Sequence, residues 1–176
     1  LPGCVYLYAG EELGLPEVLD LPDEARQDPI FARTGGSEIG RDGCRVPMPW
    51  TSDRSTSFGF SSRPAEPWLP QPDDWGPLSV EAAEHEPTAM LHLCRDVMRA
   101  RRELSGHLTW VAAADECVAF ERGDTLVVVN PTNATITVPA VVVDGRTVTL
   151  ASVAGTEQTP GGDVLVPADC CLWLSR

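Results

Sequence analysis

The pattern of hydrophobic and polar positions changes twice along the chain. Residues 4–8, CVYLY, form a short apolar run, which is typical of a strand buried on both faces. Residues 9 to about 80 have no periodicity and are rich in Gly, Pro, Ser and Asp, which predicts a long loop. Six aromatic residues indicate that this loop is ordered: Phe31, Trp50, Phe58, Phe60, Trp68 and Trp75.

A helix is predicted over residues 88–104, where apolar residues recur at helical spacing. Pro87 suits the first turn, and Gly106 suits the position after the last. Three arginines lie near the predicted C-terminal end, where their positive charges would stabilise the negative end of the helix dipole. The predicted apolar face consists of Met90, Leu93, Cys94, Val97, Met98 and Leu104.

From residue 107 onward the period is two. Seven short runs rich in Val, Thr and Leu are separated by turn sequences, which predicts a small antiparallel β-sandwich. The dipeptide Asp144 and Gly145, between AVVV and RTVTL, predicts a hairpin. The core candidates are Leu108, Trp110, Val118, Phe120, Val127, Val129, Leu172 and Leu174.

Composition narrows the range of partners. The 176 residues carry 26 acidic and 13 basic side chains, all of the latter Arg, for a net charge of −13. This balance argues against a nucleic-acid partner and favours a cytoplasmic protein. No apolar run is long enough to span a membrane, so no membrane partner is expected.

The six cysteines have no C-x-x-C spacing and no paired histidines, so we expect no metal site and no cofactor. They are interpreted as free, mostly buried thiols.

One stretch within the long loop stands out. RDGCRVPMPW, residues 41–50, places two arginines close to two prolines. A guanidinium is a planar fork of donors that can hold a carboxylate and a hydroxyl together, which a lysine cannot do. Pro47 and Pro49 limit the backbone and so reduce the entropy lost in presenting a long side chain.

Three segments together resemble one family. GCVYLYAGEELGLPEV, DLPDEARQDPIFARTGG and GRDGCRVPMPW, followed by the helix and the β-domain, resemble the C-terminal part of an α-glucosidase of glycoside hydrolase family 13, the α-amylase clan. The resemblance implies an α+β fold: the end of a (β/α)8 barrel, followed by a small antiparallel β-sandwich. Residues 1–106 would supply the last barrel strand (4–8), its long loop and the last helix, and residues 107–176 the sandwich.

The resemblance also implies roles for the site residues. Arg45 would bind the non-reducing-end glucose and pair with an aspartate from an early barrel loop. Trp50 would be a sugar platform or simple loop packing, and Arg41 and Asp42 would brace the loop. Within this chain, we expect Arg45 to be exposed or paired with Asp42 or Glu11.

The adjacent Glu11 and Glu12 are not interpreted as a catalytic pair. In the family the three catalytic carboxylates belong to earlier barrel strands, so all three would precede Leu1. Glu11 and Glu12 would therefore support the structure. The chain alone should be inactive, and Val5 and Leu7 should be exposed because their barrel neighbours are missing.

Three functional hypotheses remain. The first is an α-glucosidase that acts on oligosaccharides with retention of configuration, and that needs the rest of the barrel upstream of Leu1 as partner. The second is a related enzyme that transfers or isomerises glucosyl units, as a trehalose synthase does. The third is a non-catalytic carbohydrate-binding or protein-interaction β-module, which would leave a lone strand at residues 4–8 without purpose. The linkage preference, α-1,4 or α-1,6, stays open.

Overall fold

A computed structural model describes all of residues 1–176, and its contacts divide the chain into two units. One unit consists of Val5–Arg95, and the other of Leu1–Cys4 together with Asp96–Arg176. The helices are α1 Pro29–Arg33, α2 Val80–His85, α3 Met90–Glu103 and α4 Ala140–Val143. The strands are β1 Leu108–Trp110, β2 Val118–Arg122, β3 Thr125–Asn130, β4 Ile136–Val138, β5 Thr147–Ala151, β6 Glu157–Gln158, β7 Val164–Val166 and β8 Cys170–Ser175.

The strands of the second unit form two antiparallel sheets. The first has the order β1-β2-β3-β8-β5, and the second has the order β4-β7-β6. Together with the helices they confirm the predicted α+β class. All seven predicted runs contain a strand. The structure has an eighth strand, β6, which the sequence did not predict because two residues are too short to show an alternating pattern.

The core of this unit is aliphatic and lies within residues 107–176. Its fully buried members include Leu126, Val128, Leu172 and Leu174 from the first sheet, and Val164 and Val166 from the second. The prediction of Leu172 and Leu174 as core residues is therefore confirmed. Burial of this apolar area is the main stabilising contribution to the unit.

The other predicted core residues belong to the opposite face of the first sheet. Trp110, Phe120, Val127 and Trp173 stand opposite one another across four strands. Phe120 and Val127 are buried on the inner strands, as predicted, but Trp110 is 65% exposed and Val118 is 45% exposed. The assignment of Trp110 and Val118 to the core is wrong. Trp110 lies on the edge strand β1, and the apolar residues on both faces of β2 and β3 mean that alternation does not identify the inner face.

The predicted hairpin at Asp144 and Gly145 is also wrong. Residues 140–143 form the single helical turn α4, in which the Val143 N–H donates to the Pro139 carbonyl at 3.0 Å and the Asp144 N–H to that of Ala140 at 2.8 Å. Asp144 and Gly145 both have left-handed φ angles, 52° and 71°. That conformation ends a helix as readily as it forms a type I′ hairpin turn, so the dipeptide did not separate the two outcomes.

Asn130 organises the end of β3. It is fully buried, and its Nδ2 lies 2.8 Å from the Ala134 carbonyl oxygen, 3.1 Å from that of Val166 and 2.7 Å from that of Pro167. Its Oδ1 accepts the backbone N–H and the hydroxyl of Thr132. One buried side chain thus bonds to polar groups from two stretches of the chain, residues 132–134 and 166–167.

The unit Val5–Arg95 is largely irregular, as predicted for the long loop. Short helical turns connect extended segments, and two small apolar clusters hold them together. The larger cluster contains Phe58, Leu69 and Trp75, which are almost completely buried. Two of the six loop aromatics therefore supply a local core, which is consistent with an ordered loop.

Residues 4–8 do not form the expected strand. They have no ladder partner, and Tyr6 is 90% exposed, with Val5 and Leu7 also exposed as predicted. A strand exists only when a neighbouring chain accepts and donates its backbone hydrogen bonds, and this segment has none.

The predicted helix over 88–104 corresponds to α3, which begins two residues later and ends one residue earlier. Leu91 is its only buried residue, and Met90 of the predicted apolar face is exposed. None of the helices is both long and apolar enough to cross a membrane.

All six cysteines are free, but only Cys170 is buried, so the expectation of mostly buried thiols is wrong. Burial raises the pKa of the Cys94 and Cys171 thiols.

Candidate functional site

The stretch 41–50 starts with a turn and continues as an extended segment. Asp42–Arg45 form a 3-10 turn, and the prolines then keep the backbone extended to Trp50. The carbonyl of Pro47 accepts from Gln71 Nε2 at 2.8 Å, and the Trp50 N–H donates to the Phe58 carbonyl at 2.7 Å. The stretch is therefore tied to the chain that follows it and has a defined path.

Two glycines allow this turn to pack closely on earlier residues. A Cβ atom at Gly43 would lie 2.3 Å from the Val18 carbonyl oxygen. A Cβ at Gly40 would lie 2.6 Å from the Cβ of Asp28, and Gly40 also has a left-handed φ of 70°. Both glycines are required because the backbone approaches its neighbours too closely for a side chain.

Asp42 is a completely buried carboxylate at the start of the turn. Its Oδ2 accepts the backbone N–H groups of Gln27 at 2.6 Å and Asp28 at 2.7 Å. Its Oδ1 lies 3.3 Å from Nη1 of Arg45. Two short backbone hydrogen bonds and one cation compensate the cost of burying the charge.

Asp28 binds the same nitrogen of Arg45. Its Oδ2 accepts from Arg45 Nη1 at 3.1 Å and from the Arg41 backbone N–H at 3.2 Å, while its Oδ1 caps α1 through the Ile30 N–H at 3.1 Å. The hydrogen bonds from Ile30 and Arg41 lower the pKa of Asp28, and the positive charges of Arg45 and Arg41 add to the effect.

Arg45 is therefore paired within the chain. The expected pairing with Asp42 is confirmed, Glu11 is not a partner, and the pairing with Asp28 was not expected. Both ion pairs use Nη1, and the remaining guanidinium nitrogens make no hydrogen bond within the chain. The side chain stays 33% exposed, so part of the donor fork faces outward.

An open groove of about 240 Å³ lies beside this arginine. Its remaining wall is mostly apolar and aromatic: Tyr8, Ala9, Val46, Pro47, Met48, Trp50, Phe60 and Trp68, with Cys44. Trp50 is 48% exposed and borders the groove, although its backbone is anchored to Phe58. A charged donor next to flat aromatic rings is suited to a sugar ring, whose hydroxyls need donors and whose C–H faces pack on aromatics.

The two glutamates hold the turn that follows residues 4–8. Glu11 Oε2 accepts the Tyr8 N–H at 3.1 Å, and Glu12 Oε2 accepts the Gly10 N–H at 2.9 Å.

Arg41 contributes its backbone N–H to Asp28. The structure thus brings Arg45, Asp42 and the backbone of Arg41 together, and Arg45 and Trp50 line the same groove.

Sequence reasoning missed Asp28, Phe60 and Trp68. Asp28 precedes Pro29, a pair typical of a helix start, and that signal predicts a cap but not an ion pair 17 residues further on. No local pattern distinguishes an aromatic residue that lines a groove from one that fills a core, as Phe58 does. Those positions are determined by the loop's tertiary path.

Comparison with known proteins defines the class. A family model described as alpha amylase, catalytic domain, matches residues 1–109. A probable alpha-glucosidase of Rhizobium meliloti is 41% identical over 126 residues, which cover 69% of this chain and 22% of that protein. The trehalose synthase/amylase TreS of Mycobacterium tuberculosis is 32% identical, over 74% of this chain and 21% of that protein.

Solved structures that match this chain are enzymes of related function to these relatives. The alpha-glucosyl transfer enzyme XgtA matches with a TM-score of 0.72 and 25% identity, over 97% of this chain and 32% of that one. The trehalulose synthase MutB of Pseudomonas mesoacidophila has the same TM-score at 17% identity, over 94% of this chain and 34% of that one, and shows a shared fold. The relatives and the solved structures that this chain resembles are carbohydrate-active enzymes.

The chain belongs to the α-amylase family, glycoside hydrolase family 13. It spans about a fifth of the length of the curated relatives that it matches.

Proposed function

We propose that this chain is the C-terminal part of an α-glucosidase that removes terminal, non-reducing α-linked glucose from oligosaccharides with retention of configuration. In the intact enzyme, by which we mean these residues joined to a barrel preceding Leu1, residues 1–106 end the catalytic barrel and residues 107–176 form the C-terminal β-domain. The match of the catalytic-domain model to residues 1–109 supports this division. A cytoplasmic location, with its reducing conditions, agrees with six free cysteines.

One observation carries the proposal: the anchored guanidinium of Arg45 beside the aromatic groove. Two carboxylates hold Nη1, and the outward donors are free for a sugar hydroxyl and for an aspartate of the barrel. Active sites of (β/α)8 barrels lie in the loops after the strands, which is where Arg45 would lie if residues 4–8 are the last strand. Arg45 would then close the end of the pocket and admit only a terminal glucose.

Catalysis in the intact enzyme would be carried out by barrel carboxylates outside these residues. Glu11 and Glu12 are engaged with backbone N–H groups and supply no acid–base pair. The isolated chain should therefore be inactive.

Its relatives also include a trehalose synthase and a glucosyl transfer enzyme, so glucosyl transfer or isomerisation is the second candidate. A free-standing β-module is disfavoured, because the family match lies largely outside the β-domain.

The test is a substrate panel applied to the intact enzyme and to the 176-residue chain. Maltose, isomaltose, trehalose and sucrose are incubated separately, and glucose release is compared with the formation of new disaccharides by chromatography. Predominant glucose release from maltose or isomaltose supports the α-glucosidase and reveals the linkage. Predominant disaccharide formation favours the second candidate, and turnover by the isolated chain contradicts the proposed division of roles.

A further inference from the structure

The ion pairs around Arg45 are asymmetric. Both carboxylates contact Nη1, at 3.1 Å from Asp28 and 3.3 Å from Asp42, and neither contacts the other two nitrogens. A bidentate pair would occupy two donors of the fork, whereas this arrangement occupies one nitrogen and leaves the rest of the plane available. The guanidinium is thus bound through Nη1 alone, and its other two nitrogens remain available as donors.

The two anchoring carboxylates are themselves held by backbone hydrogen bonds. Asp42 is fully buried and bound to two backbone N–H groups. The side chain of Asp28 is 12% exposed, and its two oxygens are bound to the backbone of Ile30 and of Arg41. Two fixed acceptors restrict a side chain that otherwise loses much rotamer entropy when it is ordered.

We propose that Asp28 is a positioning residue for the sugar site: together with Asp42, it holds Arg45 Nη1 and so orients the remaining donors of the guanidinium toward the groove. This inference rests on the proposed function, because it assumes that Arg45 binds substrate. Asp28 itself acts on the substrate only through Arg45. The lowered pKa of Asp28 agrees with a carboxylate that stays ionised at neutral pH, as an anchor must.

The test separates the two tasks of Asp28. Asp28→Ser keeps an oxygen that can cap α1 through the Ile30 N–H but removes the oxygen that accepts from Arg45 Nη1 and from the Arg41 backbone N–H. Asp28→Thr is a second variant of the same design, in case the first folds poorly, and Asp28→Glu restores a carboxylate. Asp53→Ser is the matched control, because Asp53 caps the turn Arg54–Thr56 through Ser55 and has no contact with Arg45.

In the intact enzyme we expect Asp28→Ser to lower kcat/KM about tenfold while the protein stays folded at the assay temperature, since one of two charge-assisted contacts to Arg45 is lost. Asp28→Glu should recover part of the loss, and Asp53→Ser should keep full activity. In the Arg45→Lys background, Asp28→Ser should have almost no further effect, because a residue that acts only through Arg45 has nothing left to position.

The outcomes distinguish this inference from the proposed function. If Arg45→Lys lowers activity and Asp28→Ser lowers it by the same factor in both backgrounds, Asp28 acts independently and the positioning role is wrong. An active Asp28→Ser variant with an inactive Arg45→Lys variant also refutes positioning while the site proposal stands. If Arg45→Lys has normal kinetics, the site proposal itself fails.

Discussion

At the scale of single residues, the site depends on charge that is buried and fully bonded. Asp42 is inaccessible to solvent, yet every one of its contacts is a donor: two backbone N–H groups and a guanidinium. Breaking such a network by removing one partner costs more than the network contributes net, because a buried charge is left uncompensated. The roles of Asp28, Asp42 and Arg45 are therefore best tested by substitutions that preserve part of each bonding pattern.

Arg45→Lys is predicted to lower kcat/KM of the intact enzyme by about two orders of magnitude, or roughly 2–4 kcal/mol of transition-state binding. A lysine keeps the charge but cannot hold carboxylates and a sugar hydroxyl with separate, fixed donors. Steady-state kinetics on an aryl α-glucoside, with melting curves alongside, provide the measurement. Arg41→Lys is the control, because Arg41 reaches Asp28 through its backbone N–H. Equal losses in both variants would show that Arg45 has no special role.

The lowered pKa of Asp28 predicts an acid-sensitive contribution to stability. A carboxyl whose folded pKa lies below the unfolded value of about 3.9 stabilises the fold above that pH and loses the effect as pH falls through the folded pKa. We expect the difference in unfolding free energy between the wild-type chain and Asp28→Ser to be constant near neutral pH and to shrink below about pH 4. Urea titrations across this range measure it, and a difference that grows on acidification contradicts the prediction.

Residue chemistry identified only part of this site in advance. The resemblance pointed to Arg45 in this loop, and the sequence offered Asp42 and Glu11 as its local partners, of which the structure shows Asp42. Asp28 was hidden because its contact depends on the approach of two loop segments at Gly40, a property of the tertiary path. Phe60 and Trp68 were hidden for the same reason.

At the scale of elements, turn residues predicted where a helix or strand ends, but they did not predict whether the element before the turn is a helix or a strand. Asp144 and Gly145 do interrupt the chain, but they end a helical turn and not a strand. AVVV is β-branched and favours strands locally, and the tertiary structure overrides that preference by burying Val143 from a helical turn. The strands of 107–176 were predictable because period two is strong there, while the inner face was not, because the central strands are apolar on both sides.

Substitutions at 141 and 143 distinguish the helical turn from a strand. In α4, Val143 is 1% exposed and Val141 is 85% exposed, whereas in a strand the two would share one face. Val143→Ala should destabilise the chain by about 2 kcal/mol through lost burial and a cavity, and Val141→Ala should have almost no effect. Chemical denaturation measures both. Similar losses at both positions would support the strand.

At the scale of the whole molecule, the chain contains one self-sufficient core and one unit with little core of its own. The aliphatic core of the sandwich, from Ala113 to Leu174, lies entirely within residues 107–176. Val5–Arg95 contains only two small clusters, and several large apolar side chains of residues 4–8 are exposed. Contiguous exposed apolar surface is typical of a region that contacts further protein, which agrees with the proposed barrel.

Residues 107–176 expressed alone are therefore predicted to fold and to unfold in a single cooperative transition. The measurement is thermal unfolding followed by circular dichroism, with an antiparallel β spectrum before the transition. Residues 1–106 expressed alone serve as the comparison and should show a broad transition, because only two small apolar clusters, and no sheet, hold their irregular segments together. A broad, uncooperative transition for 107–176 would contradict the domain boundary.

The hydrogen bonds of the Asn130 side chain have a consequence for the chemical stability of the protein. Asparagine side chains deamidate spontaneously when the backbone nitrogen of the following residue attacks the amide carbon and closes a five-membered imide ring. The residue after Asn130 is Pro131, whose nitrogen carries no hydrogen and cannot complete that ring. The amide that holds three carbonyl oxygens together is thereby protected from the main chemical route that would turn it into a carboxylate, and with it into a repulsive charge among acceptors. The β-domain therefore does not lose its central polar contact by the imide route.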